Sequence, residues 1–220
     1  MSRLRTSATL RAYTVAEVLT VTVIMGFVTT FVALIVGPMF NAVNSQGAKI
    51  DTLQAAVRSF YRIQRDLHQA NVNGVFVCTY PAPTTCAPPS AGLADATVIA
   101  IISPKTNGTG QLSWDSAQGQ PQWKGYNVYW LAPDANGVMS LNYAFNDPTG
   151  GALIGVLSAD AAVNNALAAD PQFLATSVTE LQVSQTVPTS TIGLKMFATS
   201  TEGKSTNETS FESDTVARNN

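Results

Sequence analysis

Residues 18–40 form an unbroken run of 23 residues without a charged side chain. A helix rises about 1.5 Å per residue, so this run is long enough to cross the hydrocarbon core of a bilayer. The only charges ahead of residue 17 are Arg3, Arg5 and Arg11, and positive charge on one flank keeps that flank in the cytoplasm. A cleavable signal peptide has a shorter apolar region and a small-x-small cleavage site, whereas this run ends in GPMFNAVN. The sequence therefore predicts a retained single span with an exported C-terminal part.

The composition of the whole chain excludes several kinds of chemistry. Its 12 Lys and Arg are outnumbered by 14 Asp and Glu, so there is no general basic surface for phosphates, and we expect no direct nucleic-acid partner. Phosphate-binding, nucleophile-elbow and zinc-protease motifs do not occur in the sequence, and a single histidine, His68, excludes most catalytic triads. We therefore expect no enzyme, no cofactor and no metal. Two alternatives stay open: a carboxylate pair for glycoside hydrolysis, and a calcium loop at residues 134–137 in place of the favoured hairpin turn.

Glu17 is a charged residue that a simple apolar membrane anchor would not need. It stands one residue before the uncharged run, so a helix places its carboxylate at or within the membrane boundary. Two interpretations follow from the position alone. The carboxylate snorkels to the interface, or it pairs with a positive charge in the membrane phase.

The residues around Glu17 carry a resemblance to a known family. A short basic leader, then AYTVAEVL at residues 12–19, then the apolar run, resembles the prepilin cleavage and methylation motif of type IV pilins and type II secretion pseudopilins. In that family a membrane peptidase cuts after a small residue, usually Gly, and methylates the new aromatic N-terminus, and a Glu is the fifth residue of the mature chain. The resemblance implies cleavage between Ala12 and Tyr13, with Glu17 as that fifth residue. Ala12 stands where Gly is usual and Tyr13 where Phe is commonest, so the small and aromatic characters are kept.

The resemblance also implies a partner for Glu17. Cleavage creates an amine on Tyr13 within the membrane phase, and Glu17 of one subunit can neutralise the amine of its neighbour as subunits stack. In a medium of low dielectric such a pair is strongly coupled, whereas either charge alone is costly. Glu17 is then a residue of subunit assembly and not a catalytic one.

Beyond the span the helical period continues, which predicts one helix over residues 14–70. Gly37 and Pro38 predict a bend, although transmembrane helices also tolerate both residue types. Apolar residues recur at three- and four-residue steps and charged residues take the other face, where Arg62 and Asp66 are spaced to pair. We interpret the apolar stripe as packing on the following sheet, with a coiled-coil partner as the alternative. The stripe comprises Val43, Ile50, Leu53, Val57, Phe60, Ile63 and Leu67, and the charged face comprises Lys49, Arg58, Arg62, Arg65 and Asp66.

A second resemblance covers the end of this helix and two later segments. Residues 62–70, RIQRDLHQA, are similar to the end of the stalk helix in the minor pseudopilin J and PilW-like minor pilin group, with His68 in place of the usual Arg. The tail at residues 211–219, FESDTVARN, is similar to the closing strand of that group. The aromatic segment at residues 121–130 is similar to its central strand.

From residue 72 onward, runs of β-branched and aromatic residues alternate with turn signals, which predicts an antiparallel sheet. The two-residue period of the runs near residues 181–187 and 192–198 is typical of a half-buried hairpin. One short helix is predicted at residues 159–168, before Asp170-Pro171. The predicted strands are residues 72–77, 97–102, 126–131, 138–145, 181–187, 192–198 and 209–216.

Cys78 and Cys86 are the only two cysteines, and they close a short Pro-rich loop. In an exported domain such a pair predicts a disulfide. A zinc site would need more nitrogen and sulfur ligands than the chain supplies. The disulfide would stiffen a surface loop, either for stability or as part of a contact face, and we favour stability.

Together these features predict an α+β protein in which a long N-terminal helix packs on an antiparallel β-sheet head. The expected divisions are a leader at residues 1–12, a transmembrane and assembly segment at 13–40, an amphipathic stalk helix at 41–70 and an exported β-rich head at 71–220. The resemblance implies a minor pilin or pseudopilin that primes or caps a type IV pilus or type II secretion pseudopilus. Its partners would be other pilins or pseudopilins, the prepilin peptidase, the inner-membrane assembly platform and the lipid bilayer. The alternative is a signal-anchored envelope domain that binds a ligand or acts as an adhesin.

Overall fold

The computed structural model describes residues 14–79, 85–104, 113–114, 122–147, 159–186, 190–202 and 205–217. The chain divides into two compact units, Met1–Ala48 and Lys49–Asn220. Helix α1 covers Val15–Gln69 and so contributes to both. Gly37 and Pro38 do not end this helix, which confirms one long helix, while the bend expected there stays a prediction.

The first unit consists, in its described part, of the N-terminal stretch of α1. Its apolar side chains are exposed, with Phe27 at 70% and Phe31 at 68% of full exposure. This is one helix near the N-terminus that is long and apolar enough, by length and composition, to cross a membrane. Hydroxyl groups on this surface are satisfied within the helix, because each threonine donates to a carbonyl one turn earlier, which is what an apolar environment requires. These donors are Thr20, Thr22, Thr29 and Thr30, at 2.8 Å from the carbonyl oxygens of Ala16, Val18, Met25 and Gly26.

The second unit joins the end of α1 to two antiparallel sheets and one short helix. A six-stranded sheet has the order β2-β1-β4-β5-β6-β7, and a four-stranded sheet has the order β10-β9-β8-β3. The six strands are β1 (Val75–Cys78), β2 (Cys86–Ala87), β4 (Val98–Pro104), β5 (Trp123–Pro133), β6 (Met139–Asn146) and β7 (Gln172–Thr176). The four are β3 (Ala94–Asp95), β8 (Val178–Thr186), β9 (Thr191–Glu202) and β10 (Ser205–Val216), and helix α2 is Ala159–Ala168.

The central strands of the larger sheet are buried on both faces. On one face Ile99, Ile101 and Tyr129 join a core built with α1 and the four-stranded sheet. On the other face Val98 and Val128 join a second core built with α2. Burial on both faces explains why β4 is a continuous apolar run and does not alternate between apolar and polar residues.

The α+β class is therefore confirmed, with α1 packed through its C-terminal part on antiparallel sheets. The short helix at residues 159–168 is confirmed with the predicted bounds. The predicted hairpin also forms, because β8 and β9 pair with Leu181 opposite Met196 and Val183 opposite Leu194. The predicted turn at 188–190 falls largely outside the described residues.

The structure corrects the first predicted strand and adds others. Residues 72–74 form a short 3-10 turn, and the strand begins only at Val75. The Asn71 side chain accepts a hydrogen bond from the Asn73 backbone N–H at 2.8 Å, so local turn chemistry overrides strand propensity. Strand β7 was not predicted, nor were the two-residue strands β2 and β3. Strand β7 reads QFLAT, in which Phe173, Leu174 and Ala175 are consecutive apolar residues, so it lacks the alternation that marks a half-buried strand.

Candidate functional site

The first turn of α1 holds Glu17 in a reciprocal capping arrangement with Thr14. The Thr14 backbone N–H donates to the Glu17 carboxylate at 2.9 Å, and the Thr14 hydroxyl donates to the same oxygen at 3.1 Å. In return the Glu17 N–H donates to the Thr14 hydroxyl oxygen at 3.3 Å. Thr-x-x-Glu at the start of an apolar helix is the capping-box pattern, which sequence reasoning overlooked although residues 14–17 carry it.

The surface next to Glu17 is apolar and unoccupied within the described chain. Val18, Val21 and Thr22 line a shallow groove of about 340 Å³ beside the carboxylate. Val18 and Val21 are 57% and 60% exposed. A single carboxylate at the edge of an apolar helix face suits lateral contact with another apolar helix that brings a positive group. The predicted processing residues, Ala12 and Tyr13, lie outside the described residues.

The C-terminal part of α1 meets the sheets through one face. Phe60, Ile63 and Leu67 of the predicted stripe are buried in the main core, and the Phe60 ring lies 5.9 Å from that of Phe211 on β10. The stripe is only partly covered, because Val43 and Ile50 are 56% and 54% exposed. The interpretation that the stripe packs on the sheet is confirmed for its last three members and is wrong for Ile50 in the described chain.

A second prediction on this helix is also wrong, namely that Asp66 lies on the charged face. Asp66 is only 6% exposed, and its carboxylate accepts a 2.6 Å hydrogen bond from the Tyr129 hydroxyl of β5. Its cationic partner is the adjacent Arg65, at 3.3 Å, and the expected pairing with Arg62 is wrong. The Arg62 guanidinium lies 3.8 Å from the centre of the Tyr143 ring and donates to Gln172 at 3.2 Å. The spacing offered a signal, because Asp66 lies three residues after the buried Ile63 and so on its side of the helix.

The buried Asp66–Tyr129 contact fixes α1 on β5. Burial raises the pKa of the Tyr129 hydroxyl well above its ordinary value of 10.0, and the neighbouring Asp66 carboxylate raises it further. The folded state therefore keeps this proton at pH values where the unfolded chain loses it. The contribution of Tyr129 to stability is complete below about pH 10 and is lost as the pH rises above that value.

We expect Tyr129→Phe to lower the free energy of unfolding by about 1–3 kcal/mol, because a buried carboxylate loses its hydrogen-bond donor. Urea unfolding of the full chain in detergent micelles measures this change. The alkaline loss of stability above pH 10 should also become shallower in the variant. The matched control is Tyr61→Phe, the same change on α1 at a position that is 63% exposed, which we expect to stay within about 0.5 kcal/mol of the parent. Equal effects of the two changes would contradict the assigned contact.

The predicted disulfide is present between Cys78 and Cys86. It joins β1 to β2, where the two cysteines are also paired in register. The Cys86 N–H donates to the Asp160 carboxylate at 2.8 Å, in the first turn of α2. This hydrogen bond holds one end of the crosslinked loop against α2, the stabilising role of the disulfide stays a prediction, and residues 80–84 lie outside the described part.

Residues 134–137 form the hairpin turn between β5 and β6 that was favoured over a calcium loop. The Asp134 carboxylate accepts from the backbone N–H groups of Asn136 and Val138, at 2.8 and 2.9 Å, and Gly137 has a φ of 78°. One oxygen of this carboxylate, Oδ1, therefore serves the turn. Among the described residues, three or more His, Cys, Asp or Glu side chains do not come together as metal ligands would.

These sites lie on different parts of the chain: Glu17 on the first unit, and the Asp66–Tyr129 contact and the disulfide within the second. The first is an exposed apolar surface beside a carboxylate, and the other two hold elements of the second unit together. Comparison with protein-family models, curated proteins and solved structures gives no match.

Proposed function

We propose that this chain is a bacterial minor pilin or pseudopilin that assembles through α1 into a type IV pilus or a type II secretion pseudopilus, where it primes or caps the filament. The observation that supports this most directly is the first turn of α1. There a carboxylate borders an apolar helix surface that no described part of the chain covers. A protein that assembles through its span needs this surface, and a simple membrane anchor does not need the carboxylate beside it.

The proposed mechanism begins with removal of residues 1–12 by the prepilin peptidase, which leaves the Tyr13 amine in the membrane phase. Glu17 then exchanges its contacts within its own first turn for the amine of a neighbouring subunit. The Thr14 contacts matter because they satisfy the carboxylate before a neighbour arrives, when an unpaired charge in an apolar medium would be costly. Lateral packing of apolar spans adds dispersion contacts along the helix.

The same proposal implies an orientation of the span in the membrane and a compartment for the head. The Arg-rich end would lie in the cytoplasm and the head would be exported across the inner membrane. A disulfide that ties a loop to α2 suits this placement, since disulfides persist in oxidising compartments. The partners are then other pilins or pseudopilins, the peptidase, the assembly platform and the bilayer.

The direct test is the intact mass and N-terminal sequence of the protein extracted from membranes of its native host. We expect a chain that begins at Tyr13 and carries one added methyl group. A chain that still begins at Met1 or Ser2 would overturn the proposal. It would leave the alternative function, an anchored envelope domain that binds a ligand or acts as an adhesin.

A further inference from the structure

Strand β10 forms one edge of the four-stranded sheet, where its neighbour is β9. The Ala217 N–H donates to the Ser190 carbonyl at 3.0 Å, so these two residues form a hydrogen-bonded pair of the antiparallel ladder. Such pairs alternate along a ladder, and the register runs without a shift from Val216 to Ser205. The even-numbered residues of β10 therefore direct their backbone N–H and C=O groups away from β9. Val216 agrees with this assignment, since its carbonyl oxygen lies 3.4 Å from the His68 ring of α1.

The outward backbone groups of β10 are available to another strand. Ser210, Glu212 and Asp214 are exposed, and their N–H groups have no backbone partner within the described chain. The strand is 12 residues long, about twice the usual length, so its edge is a long template. Extended peptides bind to such edges through main-chain hydrogen bonds, and pockets beside the edge select their side chains.

A groove of about 470 Å³ lies beside this edge, between α1 and β10. Gln64 of α1 donates to the Ser213 hydroxyl at 2.8 Å and so holds the helix over the strand. Tyr61 and Val216, one from each wall of the groove, are 63% and 62% exposed. Its size lies in the range of ligand-binding clefts, which is about 300–1,000 Å³. The lining also includes Arg65 and His68 of α1 and Asp214 and Thr215 of β10.

The groove also borders a buried hydroxyl group without a partner. Thr215 is 5% exposed, and within the described chain its Oγ1 has no hydrogen-bond partner. Buried polar side chains normally have one. A segment that lies in the groove brings backbone donors and acceptors next to this position, which the free chain leaves incomplete.

We propose that the groove binds an extended segment of a different polypeptide, which adds a strand to β10 and places an aromatic side chain between Tyr61 and Val216. The inference goes beyond the proposed function and does not depend on it, because the groove lies within the second unit. In a subunit that primes or caps a filament, the contact would join this chain to a subunit of another kind.

The chemistry of the segment follows from the alternation of side chains along a strand. On the side of α1, its side chains meet the Tyr61 ring and the Arg65 guanidinium, and both pack well on an aromatic ring. Asp214 and Arg65 already line the same groove, so this side chain needs no charge. On the side away from α1, the segment lies beside Glu208 and Glu212, where Lys or Arg fits.

A second copy of β10 is a poor partner for this edge. Residues 205–216 contain three Asp and Glu and no Lys or Arg. Two β10 edges side by side would bring like charges together, which destabilises a pair of strands. The charge of the strand therefore selects against pairing with itself and leaves a basic segment of another chain as the occupant.

The test measures, by fluorescence anisotropy, the binding of a labelled synthetic peptide in which Phe alternates with Lys. The full chain is held in micelles of an uncharged detergent, and micelles alone give the background. Two control peptides carry N-methyl groups, one on each Phe and the other on each Lys. Only one of them loses the N–H groups that face β10, because successive N–H groups of a strand point to opposite edges. We expect that peptide to bind at least about tenfold more weakly than the unmethylated one, and the other to stay within about threefold of it.

Variants of the chain supply the second readout. Ser210→Pro removes an outward N–H and leaves the ladder to β9 intact, as proline at an edge allows. We expect it to bind the unmethylated peptide at least about tenfold more weakly, whereas Ser210→Ala should stay within about twofold of the parent. Tyr61→Ala removes one wall of the groove and should weaken binding about fivefold, whereas Tyr61→Phe keeps the ring and should bind as the parent does.

Three results would overturn the proposal: no binding of the peptide up to about 1 mM, equal binding of the two methylated peptides, or equal binding to Ser210→Pro and Ser210→Ala. The carboxylates of β10 would then serve to protect an edge strand against unwanted pairing. A dimer of the chain in micelles that Ser210→Pro dissociates would also overturn it, because the edge would then pair with a second copy.

This proposal and the proposed function fail separately. A chain that begins at Tyr13 but does not bind the peptide overturns the assignment of the groove alone. A chain that begins at Met1 and binds the peptide overturns the pilin function and keeps the groove.

Discussion

Glu17→Ala is expected to leave the protein in the membrane and to reduce its incorporation into filaments at least about tenfold, which is the scale of a lost strongly coupled charge pair. The apolar run at residues 18–40 is unchanged by the substitution, so membrane insertion should persist. The neighbour's amine loses its only nearby carboxylate in the proposed arrangement. Comparing the amounts of the chain in sheared filaments and in membranes, in the native host, measures the effect.

Two further variants separate the charge of Glu17 from its local contacts. Glu17→Gln keeps the shape and hydrogen bonding of the side chain but not its charge, and we expect the same loss as for Ala. Thr14→Ala removes the hydroxyl that caps the helix yet keeps the carboxylate, so we expect a reduction of only about twofold to threefold. Normal assembly of the Gln variant would contradict a role for the negative charge. Loss of the protein from the membrane would instead indicate an insertion defect.

The sequence was most informative where a single physical pattern persists over many residues. The apolar run and the helical period after it predicted a helix over residues 14–70, and α1 is Val15–Gln69. The central strands were found because β-branched and aromatic residues fit a pleated sheet, although β5 extends at both ends beyond the predicted residues 126–131. Ends of elements depend on local contacts, as the turn at residues 72–74 illustrates.

The contacts of Asp66 show what the pattern along one helix leaves out. A charged residue on an amphipathic helix is normally assigned to solvent. Its burial is decided by Tyr129, 63 residues later in the chain, whose hydroxyl reaches the carboxylate across the core. Nothing in the order of residues predicts that pairing. The Thr14 contact is the opposite case, because Thr-x-x-Glu is a local pattern that was present and was overlooked.

The second large expected effect concerns the buried contact between the C-terminal part of α1 and the two sheets. Ile63→Ala is expected to lower the free energy of unfolding of the head by about 2–5 kcal/mol, the cost of deleting a fully buried aliphatic side chain. Ile63 is fully buried in the core shared by α1 and the two sheets, where Phe60 and Leu67 flank it on the same helix. Its loss leaves a cavity at the centre of the contact between helix and sheets.

The matched control for Ile63 is Ile50→Ala, the same change on the same helix at a position that is 54% exposed. Both substitutions raise helix propensity by the same few tenths of a kcal/mol, so that term cancels in the comparison. We expect Ile50→Ala to stay within about 0.5 kcal/mol of the parent when urea unfolding of the full chain in micelles is followed by near-ultraviolet circular dichroism. Equal destabilisation by the two variants would mean that Ile50 is also covered, which is what the coiled-coil alternative for the stripe requires. A small effect of Ile63→Ala would instead mean that the head is stable without the helix, and the stalk would then serve assembly and not the folding of the head.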